Sequence, residues 1–112
     1  MKGRLSLICH GPTISNREGR FPADEPLEER AAHGGETLLS VFERVGGWLD
    51  ARLGDSGHAV VVTHATVVRA ALLHILGAPT QAFWRMDVEP FSITEMTTDG
   101  ERWQLRLTNA VR

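Results

Sequence analysis

The chain of 112 residues holds one cysteine, Cys9, so it can form no internal disulfide. That sparing use fits a reducing, cytoplasmic setting. No apolar run approaches the roughly 20 residues that span a bilayer. The opening MKGRLSLICHG is basic, but its apolar part is short and ends in His-Gly rather than a small-residue cleavage site, so it does not read as a signal peptide. Neither sign of charge dominates: 12 Lys and Arg stand against 14 Asp and Glu, a net charge of −2. That balance gives no reason to expect nucleic acid or a membrane surface as a partner. Repeats and low-complexity segments are absent, and no Cys/His cluster has the spacing of metal ligands, so neither a metal nor another cofactor is expected. What remains, 42% hydrophobic and 23% charged, is the composition of an ordinary globular protein, long enough for one domain over residues 1–112.

Residues 4–9, RLSLIC, are short, apolar and stopped by Gly11-Pro12, which predicts a buried strand. Residues 11–35 are rich in Gly, Pro and charge and keep no period. They predict a long loop with one helical turn around LEERAA, and a loop of that length is usually functional. From Thr37 to Leu53 the residues Leu38, Phe42, Val45, Leu49 and Leu53 predict an amphipathic helix stopped at Gly54. HAVVVTH, residues 58–64, is the clearest strand, and its run Ala59–Val62 predicts burial on both faces, as in a parallel sheet. TVVRAALLHIL then reads as a helix packed deep against that sheet and closed by Gly77. Two alternating runs, FSITEMT and WQLRLTN, flank Asp99-Gly100 and predict a hairpin. The order gives an α/β fold: a mostly parallel sheet flanked by helices, with a C-terminal antiparallel hairpin.

Two strands end alike, LSLICHG and AVVVTHA, each delivering a histidine and then a small residue. In an open parallel sheet, ligands sit beyond the carboxyl ends of the strands. His10 and His64 would therefore face one pocket, with Gly11 and Ala65 letting backbone amides approach closely. The amides opening the second helix would favour an anion. The ordered set Cys9-His10-Gly11, Thr13, Asn16, Arg20, Gly35-Glu36-Thr37 and Thr63-His64-Ala65 resembles the histidine phosphatase superfamily, the phosphoglycerate mutase-like proteins. The tail LGAPTQAFWRMDVEPFSITEM is similar to that family's closing segment. The resemblance implies that His10 is the nucleophile that takes up the phosphoryl group and that His64 hydrogen-bonds it. It implies phosphate-binding roles for Thr13, Asn16 and Arg20, with Gly11, Arg17, Glu36 and Ala65 around them.

Two departures from that family stand out. Cys9 replaces the arginine of its Arg-His-Gly triplet, a bidentate phosphate clamp that a thiol cannot imitate. Arg17, Arg20 and Arg69 are the cations that could take its place. The family's helical insertion, which carries a further arginine and the proton-donating acid, is reduced here to PADEPLEERAAHG, and none of Glu18, Asp24, Glu25 or Glu36 aligns with that acid. The chain thus resembles a shortened member. His74 reads as a core or half-buried histidine, and Trp48, Trp84 and Trp103 as packing residues. The leading expectation is a phosphomonoester hydrolase acting on a small metabolite through a phosphohistidine at His10. Two alternatives stay open: a catalytically silent member that binds an anionic ligand or a protein, and an isomerase, cyclase or lyase using His10 and His64 as acid and base. A helix apolar nearly all round, bared by the missing insertion, predicts a homodimer.

Overall fold

The computed structural model describes residues 2–10 and 37–111. The expectations placed on Gly11, Thr13, Asn16, Arg17, Arg20 and Glu36, and on the LEERAA turn, lie outside the described residues. Among the described residues four strands and two long helices follow in the order β1 (Gly3–Cys9), α1 (Leu38–Ala51), β2 (Gly57–Thr63), α2 (Ala65–Leu76), β3 (Ile93–Thr98) and β4 (Trp103–Ala110). A 3-10 segment, Thr80–Arg85, links α2 to β3. The sheet order is β2-β1-β3-β4. β1 pairs with β2 in parallel, from Gly3 opposite Gly57 to Cys9 opposite Thr63. Its other side pairs with β3 antiparallel, and β3 pairs with β4 antiparallel. The α/β architecture is as expected, and the parallel part is the single pairing that carries the two histidine turns.

Alternation in β1 sends Leu5, Leu7 and Cys9 toward the helices, where all three are buried. Leu5 and Leu7 meet Val45 and Leu49 of α1, Val68 and Leu72 of α2, and Met96 of β3 in one core. A fully buried leucine such as Leu49 contributes on the order of 2 kcal/mol. Thr37 caps α1 by accepting a hydrogen bond from the Ser40 amide at 2.9 Å. The helix ends at Ala51, earlier than expected, because Arg52–Gly54 turn instead of continuing. Gly77 closes α2 as expected, with φ 61° and the Ala78 amide bonded to the Leu73 carbonyl at 3.0 Å. In the hairpin, Gly100 sits at φ 97° and the Asp99 carboxylate accepts from the Glu101 and Arg102 amides at 2.9 and 3.0 Å.

The helices cross closely at Gly46. A Cβ built there would lie 2.7 Å from Nδ1 of His74, so only glycine admits the ring. The same ring bonds Asp50 Oδ1 through Nε2 at 2.7 Å and joins the two helices. β2 departs from its expectation of burial on both faces: Val60 and Val62 are 57% and 63% exposed. The physical reason is position. β2 is the edge of the described sheet, and α1 and α2 cover only the side bearing Val61 and Thr63.

Candidate active site

The register that sets Cys9 opposite Thr63 brings the next residues of both strands together. The His10 amide donates to the Thr63 carbonyl at 3.0 Å. His10 Nε2 and His64 Nδ1 are 2.7 Å apart, with ring centroids 4.5 Å apart at an interplanar angle of 78°. One nitrogen must donate and the other accept, so a single proton lies between the rings. Partial burial, and then the neighbouring His10 ring, push the His64 pKa below its ordinary 6.5. The neutral form of His64 is favoured accordingly.

His64 is also the residue at which β2 hands over to α2. Its backbone is extended, its side chain caps nothing, and its carbonyl accepts the first helical hydrogen bond from Val68 at 3.1 Å. The amides of Ala65, Thr66 and Val67 precede that bond and have no partner within the helix. They present a partial positive charge beside the paired rings. Their positions at the ends of the paired strands β1 and β2 therefore bring His10, His64 and Ala65 to one spot.

Cys9 is buried beneath this spot, its thiol 3.6 Å from the His10 carbonyl. Burial raises its pKa, partly offset by the Arg69 cation, so the thiol stays protonated and has no nucleophilic character at neutral pH. Arg69 is half-buried on α2. Its Nε donates to the Met86 carbonyl at 2.8 Å and its guanidinium lies 5.5 Å from the centre of the Phe83 ring. This arginine ties the segment before β3 to α2, so at least one of its donors is committed to the fold. The carboxylates of Asp50, Asp55 and Glu95 pair with His74, Arg52 and Arg4. Among the described residues no three His, Cys, Asp or Glu gather as metal ligands, and no helix is long and apolar enough to cross a membrane.

Three features went unread in the sequence. Ser6 Oγ and His58 Nε2 meet at 2.7 Å on the open face of the sheet, on the adjacent strands β1 and β2 and 52 residues apart in the chain. Asp50 pairs with His74 across the helix crossing. Phe91 sits at φ 64°, exposed, with its amide bonded to the Cys9 carbonyl at 2.7 Å. The first two depend on strand register and helix packing. The third follows Glu89-Pro90, and nothing in those residue types announces a left-handed phenylalanine.

The sequence model of the histidine phosphatase superfamily (branch 1) matches residues 23–111. No curated protein matches the chain. Several solved structures share the fold. The protein YhfR of Bacillus stearothermophilus is 13% identical with a TM-score of 0.75, the match covering 98% of each chain. A mutant phosphoserine phosphatase from Entamoeba histolytica, solved with phosphoserine, is 11% identical with a TM-score of 0.68 over 96% of each chain. A mycobacterial glucosyl-3-phosphoglycerate phosphatase, solved with VO3, is 14% identical with a TM-score of 0.65, covering 97% of this chain and 100% of that one. The family match spans most of the chain, and both histidine turns stand at the strand ends of the shared fold: this chain belongs to the histidine phosphatase superfamily, branch 1.

Proposed function

We propose that the chain is a phosphomonoester hydrolase that works through a phosphohistidine at His10. The observation that carries this is the 2.7 Å contact between His10 Nε2 and His64 Nδ1 at the open ends of the parallel strand pair. In the tautomer the reaction needs, His64 Nδ1–H donates to His10 Nε2. An entering phosphoryl oxygen takes that hydrogen bond, which frees the Nε2 lone pair. Nε2 then attacks phosphorus, the bond from phosphorus to the ester oxygen breaks, and the leaving oxygen takes a proton from solvent water. Water later attacks the same phosphorus, returns a proton to solvent and breaks the P–N bond, releasing phosphate and neutral His10. The α2 amides and His64 meet the charge on the transferring group, and Gly11, Thr13, Asn16, Arg17 and Arg20 are proposed to complete its cradle. The neighbours solved with phosphoserine and VO3 fit this substrate class.

The chain is further proposed to act as a homodimer on a small phosphorylated or anionic metabolite. Leu39 and Leu76 on the helices and Val60 and Val62 on β2 are all exposed. Sedimentation at micromolar concentration should give about twice the 12.4 kDa chain mass, and a monomer there contradicts the dimer. For the hydrolase itself the test is turnover of phenyl phosphate by wild type and by His10→Asn. Loss of turnover in a folded variant is expected; equal rates would refute the role of His10.

A further inference from the structure

Phe91 combines three properties that folding alone does not account for. Its φ of 64° lies in the left-handed region, which a bulky side chain rarely adopts. The side chain is 67% exposed, so no core packing offsets the unfavourable backbone. The backbone nevertheless holds this conformation firmly: the Phe91 amide donates to the Cys9 carbonyl at 2.7 Å and the Cys9 amide donates to the Ser92 carbonyl at 3.0 Å. That places Phe91 alongside the Cys9-His10 step. A lone exposed phenylalanine is unremarkable on a protein surface, but one held in a strained conformation beside a nucleophile is not. Outliers of this kind gather at functional sites, where the surrounding structure over-determines them. The next residue adds a second unexplained cost, because Ser92 Oγ is buried without a hydrogen-bond partner among the described residues.

We infer that Phe91 is a specificity-determining wall of the His10 site, against which the organic group of the phosphomonoester packs, so that the preferred substrates carry an aryl or similarly flat apolar group. The inference rests on the proposed hydrolase chemistry and adds the substrate class. An exposed ring carried on backbone bonded to Cys9, the residue before His10, would offer a face to a planar group attached to the phosphoryl oxygen. Such offset or edge contacts raise affinity by roughly threefold to tenfold. A small polar ester leaves the ring uncovered and gains nothing from it.

The test uses two non-hydrolysable probes, phenylphosphonate and methylphosphonate, titrated by calorimetry against the full chain. Wild type should bind phenylphosphonate more tightly than methylphosphonate. Phe91→Gly should weaken phenylphosphonate about threefold to tenfold and leave methylphosphonate unchanged, while its melting temperature rises because glycine is at ease at φ 64°. Phe91→Tyr, which keeps the ring, should retain the preference. Should Phe91→Gly fail to fold, Phe91→Asn gives the same readout, since asparagine tolerates the left-handed region. Equal weakening of both probes, or of neither, overturns the inference. A variant that keeps the preference but loses self-association overturns it too, since the ring would then serve an interface. If wild type binds neither phosphonate, the phosphate site itself is refuted, which separates failure of the hydrolase proposal from failure of this one.

Discussion

His64 and His74 stand at the two ends of α2, and each makes a side-chain hydrogen bond of 2.7 Å. At the carboxyl end His74 meets a carboxylate, Asp50, and packs its ring over the bare backbone of Gly46. Charge on either partner is complemented by the other, and the bond joins two helices that the core already brings together. At the amino end His64 meets another imidazole. Both rings protonated would leave neither contacting nitrogen able to accept, and the charges would repel. Folding gains little from such a pair, and the pair sits at the open end of the sheet beside unpaired helix amides. One contact of α2 serves its packing, the other holds a proton between two nitrogens, and equal length says nothing about which is which.

Substitution at the amino end should cost chemistry and spare stability. His64→Asn is expected to lower phosphatase turnover about a hundredfold, the usual effect of removing one donor from a transferring group, with little change in the urea midpoint. A large loss of stability would collapse the distinction between the two ends. The carboxyl end should behave in the opposite way. Gly46→Ala forces the His74 ring away and should destabilise the fold by about 1 kcal/mol, overpacking being only partly offset by alanine's better helix propensity. In a His74→Ala background the same substitution should become neutral or stabilising. If Gly46→Ala is equally harmful there, the ring is not what the glycine accommodates.

The smallest effect concerns pH. Because the His64 pKa is lowered in the fold, the folded chain binds fewer protons than the unfolded chain just below 6.5. Its contribution to stability is therefore complete above pH 6.5 and is lost as the pH falls through the lower, folded value. Urea midpoints of wild type and His64→Asn, compared between pH 8 and pH 5, should diverge on the acid side in that sense, with wild type losing more. A difference that stays constant across the range contradicts the lowered pKa.

Much of this was legible in the sequence because it is local. The hairpin follows from Asp99-Gly100, the end of α2 from Gly77, and the two histidine turns from apolar runs that stop at His10 and His64. Their convergence needed only the parallel pairing of β1 with β2. What was not legible depends on neighbours. Val60 and Val62 are as apolar as any buried strand residue, and they are bare because α1 and α2 cover the opposite face of the edge strand β2. Gly46 looks like a weak helix residue until His74, 28 positions later, is laid against it. Phe91 carries no local sign of its backbone conformation. Gly11, Thr13, Asn16, Arg17, Arg20 and Glu36 lie outside the described residues, and their place around His10 remains a proposal.

The central claim is that His10, and no other side chain, takes up the phosphoryl group. Brief incubation with a phosphomonoester, quenching in alkali and 31P NMR of the denatured protein should reveal a phosphoramidate signal. That signal should be stable to base and lost in acid, with peptide mapping placing it on His10; it should be absent from His10→Asn and should persist, or accumulate, in His64→Asn. Turnover by wild type with no such phosphoenzyme, or with the same label in His10→Asn, would contradict the account.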